Sequence, residues 1–347
     1  MYIKKILVAI LIIGLLAGGA FAYMVYNAVF TPNTIFQNNE AYVYIKSNDT
    51  FEDVKQSMAP LLKNMETFES VARKKSYISN IKGGKYAIAK DANNNEIVNR
   101  LRSGNIPVKV SFNNQETLEA LAGRISSQIE ADSISLLLAF NDASFLNENG
   151  LDKTTKLGVY IPNSYEFFWN TSAESFRDRM LKEYKRFWNS ERLEKAQKLN
   201  LTPMEVISLA SIVHKETAKV EERPRVAGLY LNRIRKRMAL QADPTVIYAI
   251  KEHSGNFDQV IKRVLYKDLE LDSPYNTYKY IGIPPGPITM PDISAIDAVL
   301  SSEKHDYLYM VANVENFGYH MFAKSLAQHN RNKEQYIRWI NAQKISR

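Results

Sequence analysis

Glu216 is the residue with the clearest chemical potential, because its type conflicts with its place in the sequence pattern. Thr202-Pro203-Met204-Glu205 forms a capping box with proline at the first helical position, which gives Glu205 a structural task at a helix start. From there, at about 100° per residue, Val206, Leu209, Ile212, Val213 and Val220 cluster on one face of a helix expected over 203–221. Glu216 falls on that same face, within about 40° of its centre, whereas His214 and Lys215 point elsewhere. A carboxylate among apolar side chains must be neutral or paired, since burying an isolated charge is costly. Two readings stay open. Burial can raise its pKa and make it a general acid of the kind that cleaves glycosidic bonds, or Glu216 can be the ion-pair partner of Arg225 or Arg233 on the following helix.

Around Glu216 lie ordered motif blocks: Leu209-Ala-Ser-Ile-Val-His-Lys-Glu-Thr-Ala218, Val226-Ala-Gly-Leu-Tyr-Leu-Asn-Arg233 and Met238-Ala-Leu-Gln-Ala-Asp-Pro-Thr-Val-Ile-Tyr248. Ser273-Pro-Tyr-Asn-Thr-Tyr278, Gly282-Ile-Pro-Pro-Gly-Pro287 and His320-x-Phe322 with His329-Asn330 follow, and Pro162-Asn163-Ser164-Tyr165 stands upstream. In this order the blocks resemble the YceG-like family of endolytic murein transglycosylases. The resemblance extends over nearly all of the chain beyond its N-terminal apolar run, with an upstream module similar to that family's LysM-like subdomain. Two positions depart from the family's usual pattern: His214 stands where a glutamate is common, and Asn163 where an acid is usual.

The resemblance implies cleavage of the β-1,4 bond between N-acetylmuramic acid and N-acetylglucosamine inside a glycan strand, closing a 1,6-anhydro ring without water. Glu216 would serve as both acid and base, and the substrate's N-acetyl group would stabilise the cationic intermediate. A hydrolase of the usual kind needs a second carboxylate across the bond. Asp243 is the only nearby acid within a motif, and either orders the turn before Pro244 or binds sugar. Gln241, Asn276 and Tyr278 are candidate sugar contacts, with Tyr165, Tyr275 and His320 as further candidates. Asn276 can equally make an Asx turn after Pro274, and Tyr278 can be a core aromatic with a satisfied hydroxyl. The proline-rich run 283–287 shapes a cleft. No cofactor is expected, and His305, His320 and His329 show no metal-ligand spacing.

These residues must be positioned by two expected folding units outside a membrane. After Lys4 and Lys5, no charge occurs before Glu40, and residues 6–30 form an apolar stretch long enough to span a bilayer. The paired lysines favour a cytoplasmic N-terminus at residues 1–5, and Tyr23 and Tyr26 suit an interfacial belt. Ala20-Phe21-Ala22 offers the alternative of a cleaved signal peptide. Short strands at 42–45, 85–88 and 108–112 alternate with helices at 51–58, 64–75 and from Asn93, a small α+β module over 31–112. From residue 113 to 347 the pattern is mostly helical, with helices at 115–130, 133–141, 173–198 and 203–221. The expected class is α+β: a transmembrane helix, a LysM-like module and a larger catalytic domain.

Composition agrees with that architecture. Hydrophobic residues make up 45% and charged residues 24%, which excludes a disordered chain. The absence of cysteine excludes disulfides, Cys-based zinc sites and thiol nucleophiles. A net charge of +8 without a basic tract gives no nucleic-acid footprint, and suits an anionic membrane or cell-wall polymer. The resemblance implies peptidoglycan strands as the partner, the apolar run implies the membrane, and peptidoglycan synthases are candidate protein partners. The alternatives to a lytic enzyme are a non-catalytic peptidoglycan-binding scaffold and a muramidase-type hydrolase. The apolar run generates the first prediction: intact mass of the membrane-extracted protein should retain residues 1–22, and their loss would defeat the anchor in favour of a signal peptide.

Overall fold

The computed structural model describes residues 2–342, so the first residue of the expected 1–5 tail and the last five of the expected 113–347 domain lie outside it. The chain is mixed α+β, mostly helical, and divides into two units. The first comprises 2–110, 128–131 and 165–172, and the second 111–127, 132–164 and 173–342. Among the described residues three two-stranded sheets form: β1 (Glu40–Ile45) with β2 (Gly84–Ala89), β3 (Pro107–Phe112) with β4 (Asn163–Phe168), and β5 (Tyr309–Ala312) with β6 (His320–Ala323).

In the first unit, α1 (Tyr2–Phe30) has no buried residue, and its most apolar window has a mean hydropathy of 2.5. An exposed helix of that length and character is compatible with a single-pass membrane anchor. Next come β1 (Glu40–Ile45), α2 (Phe51–Met58), α3 (Met65–Lys74), β2 (Gly84–Ala89), α4 (Asn94–Ser103) and β3 (Pro107–Phe112). β1 and β2 run antiparallel from Glu40↔Ala89 to Ile45↔Gly84, and their alternation buries Val43, Ile45, Tyr86 and Ile88. Polar caps start the helices: Thr50 with Asp53 closes a capping box on α2, Asn64 caps α3, and Asn93 with Glu96 closes a box on α4. Beyond these caps, Val54, Met58, Phe68, Val71, Ile97 and Leu101 turn inward to complete the core.

An asparagine network ties α1 to this core. The Asn94 amide donates to the Ala28 carbonyl at 2.8 Å and to the Thr67 hydroxyl at 3.0 Å, while its oxygen accepts from the Asn33 amide at 2.7 Å. Asn33 in turn donates to the Asn64 carbonyl and accepts from the Asn64 N–H, both at 2.8 Å. Ala28 belongs to the last turn of α1, whose carbonyls have no partner within the helix, so the side chain of Asn94 satisfies a group that the helix itself cannot.

In the second unit the order is α5 (Leu118–Ser126), α6 (Ser133–Phe140), α7 (Ala143–Glu148), α8 (Ala173–Phe187) and α9 (Ser190–Lys198), while β4 (Asn163–Phe168) belongs to the first unit from Tyr165 onward. Then follow α10 (Pro203–Glu216), α11 (Arg223–Arg235), α12 (Asp243–Ser254), α13 (Ile293–Leu300), the hairpin β5 (Tyr309–Ala312) and β6 (His320–Ala323), and α14 (Leu326–Ala342). Several sequence expectations are corrected here. The expected helix 173–198 is two helices, because the Asn189 side chain accepts from the Arg192 N–H and starts a new one. Strand β4 was not anticipated, since Pro162-Asn163-Ser164 has the composition of a turn.

The most consequential correction concerns α10. It is not an amphipathic helix running to residue 221. Every residue from Val206 to Val213 is buried, so this is the central helix of the core, surrounded on all sides. The buried Ser211 stays satisfied: its hydroxyl donates to the Ser208 carbonyl and accepts from the Ile288 N–H. Helix α10 ends at Glu216. Thr217 leaves in an extended conformation (φ −138°, ψ 131°), with its carbonyl accepting from the buried Arg223 guanidinium. Val220, expected on the apolar face, is 52% exposed in a short 3₁₀ turn (Val220–Glu222).

The proline-rich run also has a defined constraint. A Cβ on Gly286 would lie 1.9 Å from the Thr154 carbonyl oxygen, so only glycine allows this loop to approach. Gly286→Ala should therefore lower stability by about 1–3 kcal/mol, since backbone must move to relieve the overlap. Chemical denaturation would check this, and an unchanged midpoint would contradict it.

Candidate active site

A cavity of about 270 Å³ opens at the end of α10, inside the second unit. Five short pieces of chain build it. α10 contributes Glu216; α11 contributes Tyr230 and Arg233, one helical step apart on the same face; Gln241 and Asp243 come from the entry to α12. Tyr278 comes from a loop, and the β5–β6 hairpin supplies Met310 to Ala312 and His320.

Glu216 lines this cavity with its carboxyl group packed deeply among protein atoms. Burial, the largest influence, raises its pKa above the usual carboxylate value. The Tyr230 hydroxyl, which donates to Oε1 at 2.7 Å, and the charge of His320 oppose that rise without cancelling it, while Asp243 adds to it. Among the described residues Glu216 forms no ion pair. Arg225 pairs instead with Glu303, at 3.0 Å. Arg233 is buried and donates to the carbonyls of Leu308, Ala239 and Leu240 and to the Gln241 side-chain oxygen. Its guanidinium is thus spent on holding two loops at the cavity wall, and the ion-pair alternative for Glu216 does not describe this site.

The other cavity groups are equally well held. Asp243 is the first residue of α12, where the helix dipole favours its negative charge, and it accepts from the Tyr278 hydroxyl at 2.6 Å. Burial, and then that hydrogen bond, push the Tyr278 phenol well up. Gln241 adopts φ +52°, an uncommon conformation for a side-chain-bearing residue, and its N–H donates to the Thr277 carbonyl. Such strain persists only where surrounding contacts enforce it. His320 engages both oxygens of one carboxylate: its backbone N–H donates to Glu222 Oε1 at 2.7 Å, and its Nδ1 lies 2.9 Å from Oε2.

The structure thus brings together Glu216, Gln241, Asp243, Tyr278 and His320. It does not bring Asn276 there. Asn276 is fully buried; its amide donates to the Leu269 and Leu271 carbonyls, and its oxygen accepts from the Tyr278 N–H. Both its amide donors and its oxygen are engaged in shaping the loop that presents Tyr278, so the Asx alternative describes it. Tyr275 is buried against Tyr248, with ring centroids 4.6 Å apart. Tyr165 lies on β4, in the first unit, and is not among the cavity residues. His214 likewise lies outside the cavity, beside Asp292 and the Arg223 guanidinium, where burial first and Arg223 also lower its pKa.

Sequence reasoning missed Tyr230 and Glu222. Tyr230 sits in a quoted motif, three residues before Arg233, so helical spacing alone was a usable signal. Nothing in sequence marks Glu222, whose partner lies 98 residues away.

A model of the YceG-like family matches residues 43–335, and the chain belongs to that family. The endolytic murein transglycosylase of Bacillus subtilis is 29% identical, covering 93% of this chain and 91% of the relative. A Streptococcus pneumoniae protein of the same name is 27% identical over 92% of this chain, which spans 63% of that longer relative. The 2.6 Å crystal structure of a YceG-like protein from Listeria monocytogenes matches with a TM-score of 0.57 at 28% identity, over 85% of this chain and 99% of that one.

The raised pKa of Glu216 gives a signed prediction. A carboxyl whose folded pKa exceeds its unfolded value favours the fold most below the unfolded pKa, and that advantage fades as pH rises through the folded pKa. Relative to Glu216→Gln, the wild type should therefore lose stability as pH rises from about 4.5, by about 1.4 kcal/mol for each pH unit separating the two pKa values. Melting of both proteins across pH measures this. A wild type that gains on the variant as pH rises would show a charged, paired glutamate instead.

Proposed function

We propose that this chain is an endolytic murein transglycosylase that cuts the β-1,4 bond between N-acetylmuramic acid and N-acetylglucosamine within peptidoglycan strands, leaving 1,6-anhydro ends. The observation that carries this reading is the Glu216 carboxyl group, its pKa raised by burial and its Oε1 bonded by Tyr230, in a cavity that also presents Gln241, Asp243, Tyr278 and His320.

The steps balance without water. Protonated Glu216 gives its proton to the glycosidic oxygen, and the C1–O bond breaks as the N-acetylglucosamine product leaves with that oxygen. Positive charge at C1 is stabilised by the substrate's own N-acetyl group. The Glu216 carboxylate then takes the proton of the muramoyl C6 hydroxyl as that oxygen bonds to C1, which restores the acid. Gln241, Asp243, Tyr278 and His320 hold hydroxyl and acetamido groups, and the Tyr278 ring offers an apolar face for a sugar. Residues 31–112 serve as a LysM-like membrane-proximal module and 113–347 as the catalytic domain. The apolar helix 6–30 anchors the protein in the cell membrane with residues 1–5 cytoplasmic, so the site acts on the outer side, where nascent strands and their synthases are found.

Asp243 in the same cavity favours one competing reading, a muramidase in which it activates water. Digestion of purified glycan strands followed by mass spectrometry separates the two. Ends lighter by one water than a free reducing end are expected; reducing ends would support the muramidase, and no cleavage the scaffold. Glu216→Gln should lower cleavage by about 10²–10⁴-fold or more with the fold retained.

A further inference from the structure

Glu222 is a carboxylate that the mechanism above does not use, yet it is 5% exposed and sits one short turn beyond Glu216. A buried charge of this kind needs a partner, and it has one: both oxygens bond to His320, one through the backbone N–H and one through Nδ1. This occupies Nδ1, so the tautomer is set and only Nε2 is left for the cavity that His320 lines. Among the described residues Nε2 has no protein partner.

We propose that Glu222 is a positioning residue that holds His320 as an imidazolium in the cavity, with its Nε2–H directed to the substrate beside Glu216. This rests on the reading of Glu216 as acid and base. His320 keeps its proton through both steps. Its charge stabilises the Glu216 carboxylate in the interval between giving up one proton and taking the next, and its Nε2–H donates to a sugar oxygen.

The charges around the ring agree with this role. Glu222 faces it from the 3₁₀ turn and Glu216 from the end of α10; Arg233 on α11, Asp243 at the start of α12 and Tyr278 share the cavity. Just before its strand Tyr319 bonds to Glu221 and lies under Lys219, and on the strand Phe322 has Arg225 at 5.7 Å from its ring. Burial acts to lower the pKa of His320, but the Glu222 carboxylate, aided by Glu216, overrides it and raises the pKa above the ordinary value.

The test compares wild type, Glu222→Gln, His320→Gln and Glu216→Gln as full-length proteins. The protein has five histidines, so the imidazole signal lost in His320→Gln identifies His320 by NMR. In wild type its pKa should lie above the ordinary histidine value, and in Glu222→Gln it should fall by at least about one pH unit, because the amide keeps the hydrogen bond without the charge. The basic limb of kcat/KM for glycan cleavage should move down with it, costing about tenfold above the new limb. If that limb belonged to Glu216 alone, removing the imidazolium would move it up. An upward or absent shift, an equal loss at every pH, or a wild-type His320 pKa below the ordinary value would each overturn the proposal. The wild-type titration decides even if Glu222→Gln fails to fold. Full cleavage by Glu216→Gln would instead overturn the reading of Glu216, leaving the NMR result for Glu222 and His320 to stand alone.

Discussion

The site depends on one constraint: a carboxyl group set at the end of the core's central helix that makes no salt bridge among the described residues. Glu216 is where α10 must stop, because the helix is buried on every side up to Val213 and Thr217 turns away in extended form. A side chain at that junction inherits the rigidity of the core from one direction and borders an open cavity in the other. Burial raises the pKa of the carboxyl group, and a phenol hydrogen bond from Tyr230 orients it. Had Arg233 or Arg225 reached it, the group would be an ordinary carboxylate.

The surrounding charges are arranged so that this does not happen. Arg233 gives its donors to three backbone carbonyls and Gln241, Arg225 goes to Glu303, and Arg223 holds the exit of α10 while bonding Asp292 and Ser294. Each guanidinium stabilises a loop or a helix end. His214, where the family commonly has a second glutamate, packs beside Asp292 and Arg223 outside the cavity and leaves Glu216 as the only acid that α10 presents to it.

Much of this was legible in the sequence, and the exceptions have physical causes. Caps announced themselves locally: the Thr202/Glu205 box and the Asn93 start of α4 involve residues within three positions of each other. Glu216 was found by helical periodicity even though the assumed geometry was wrong, since its helix is buried all round and five residues shorter than expected. Asn276 misled because an amide in a motif can serve a ligand or a loop, and only its full burial decides for the loop. The Glu222–His320 pair and the Arg233–Leu308 hydrogen bond depend on the segment of the β5–β6 hairpin folding back onto α11, a long-range event with no local signature.

The protonation state of Glu216 near neutral pH tests the account most directly. Infrared difference spectroscopy of wild type minus Glu216→Gln at neutral pH reports it through the carboxyl stretch. The account predicts a protonated carboxyl band in the wild type, absent from the variant and lost only as pH rises well beyond the ordinary glutamate range. A difference spectrum showing only carboxylate bands at neutral pH, and down to about pH 4.5, an ordinary glutamate value, would contradict it.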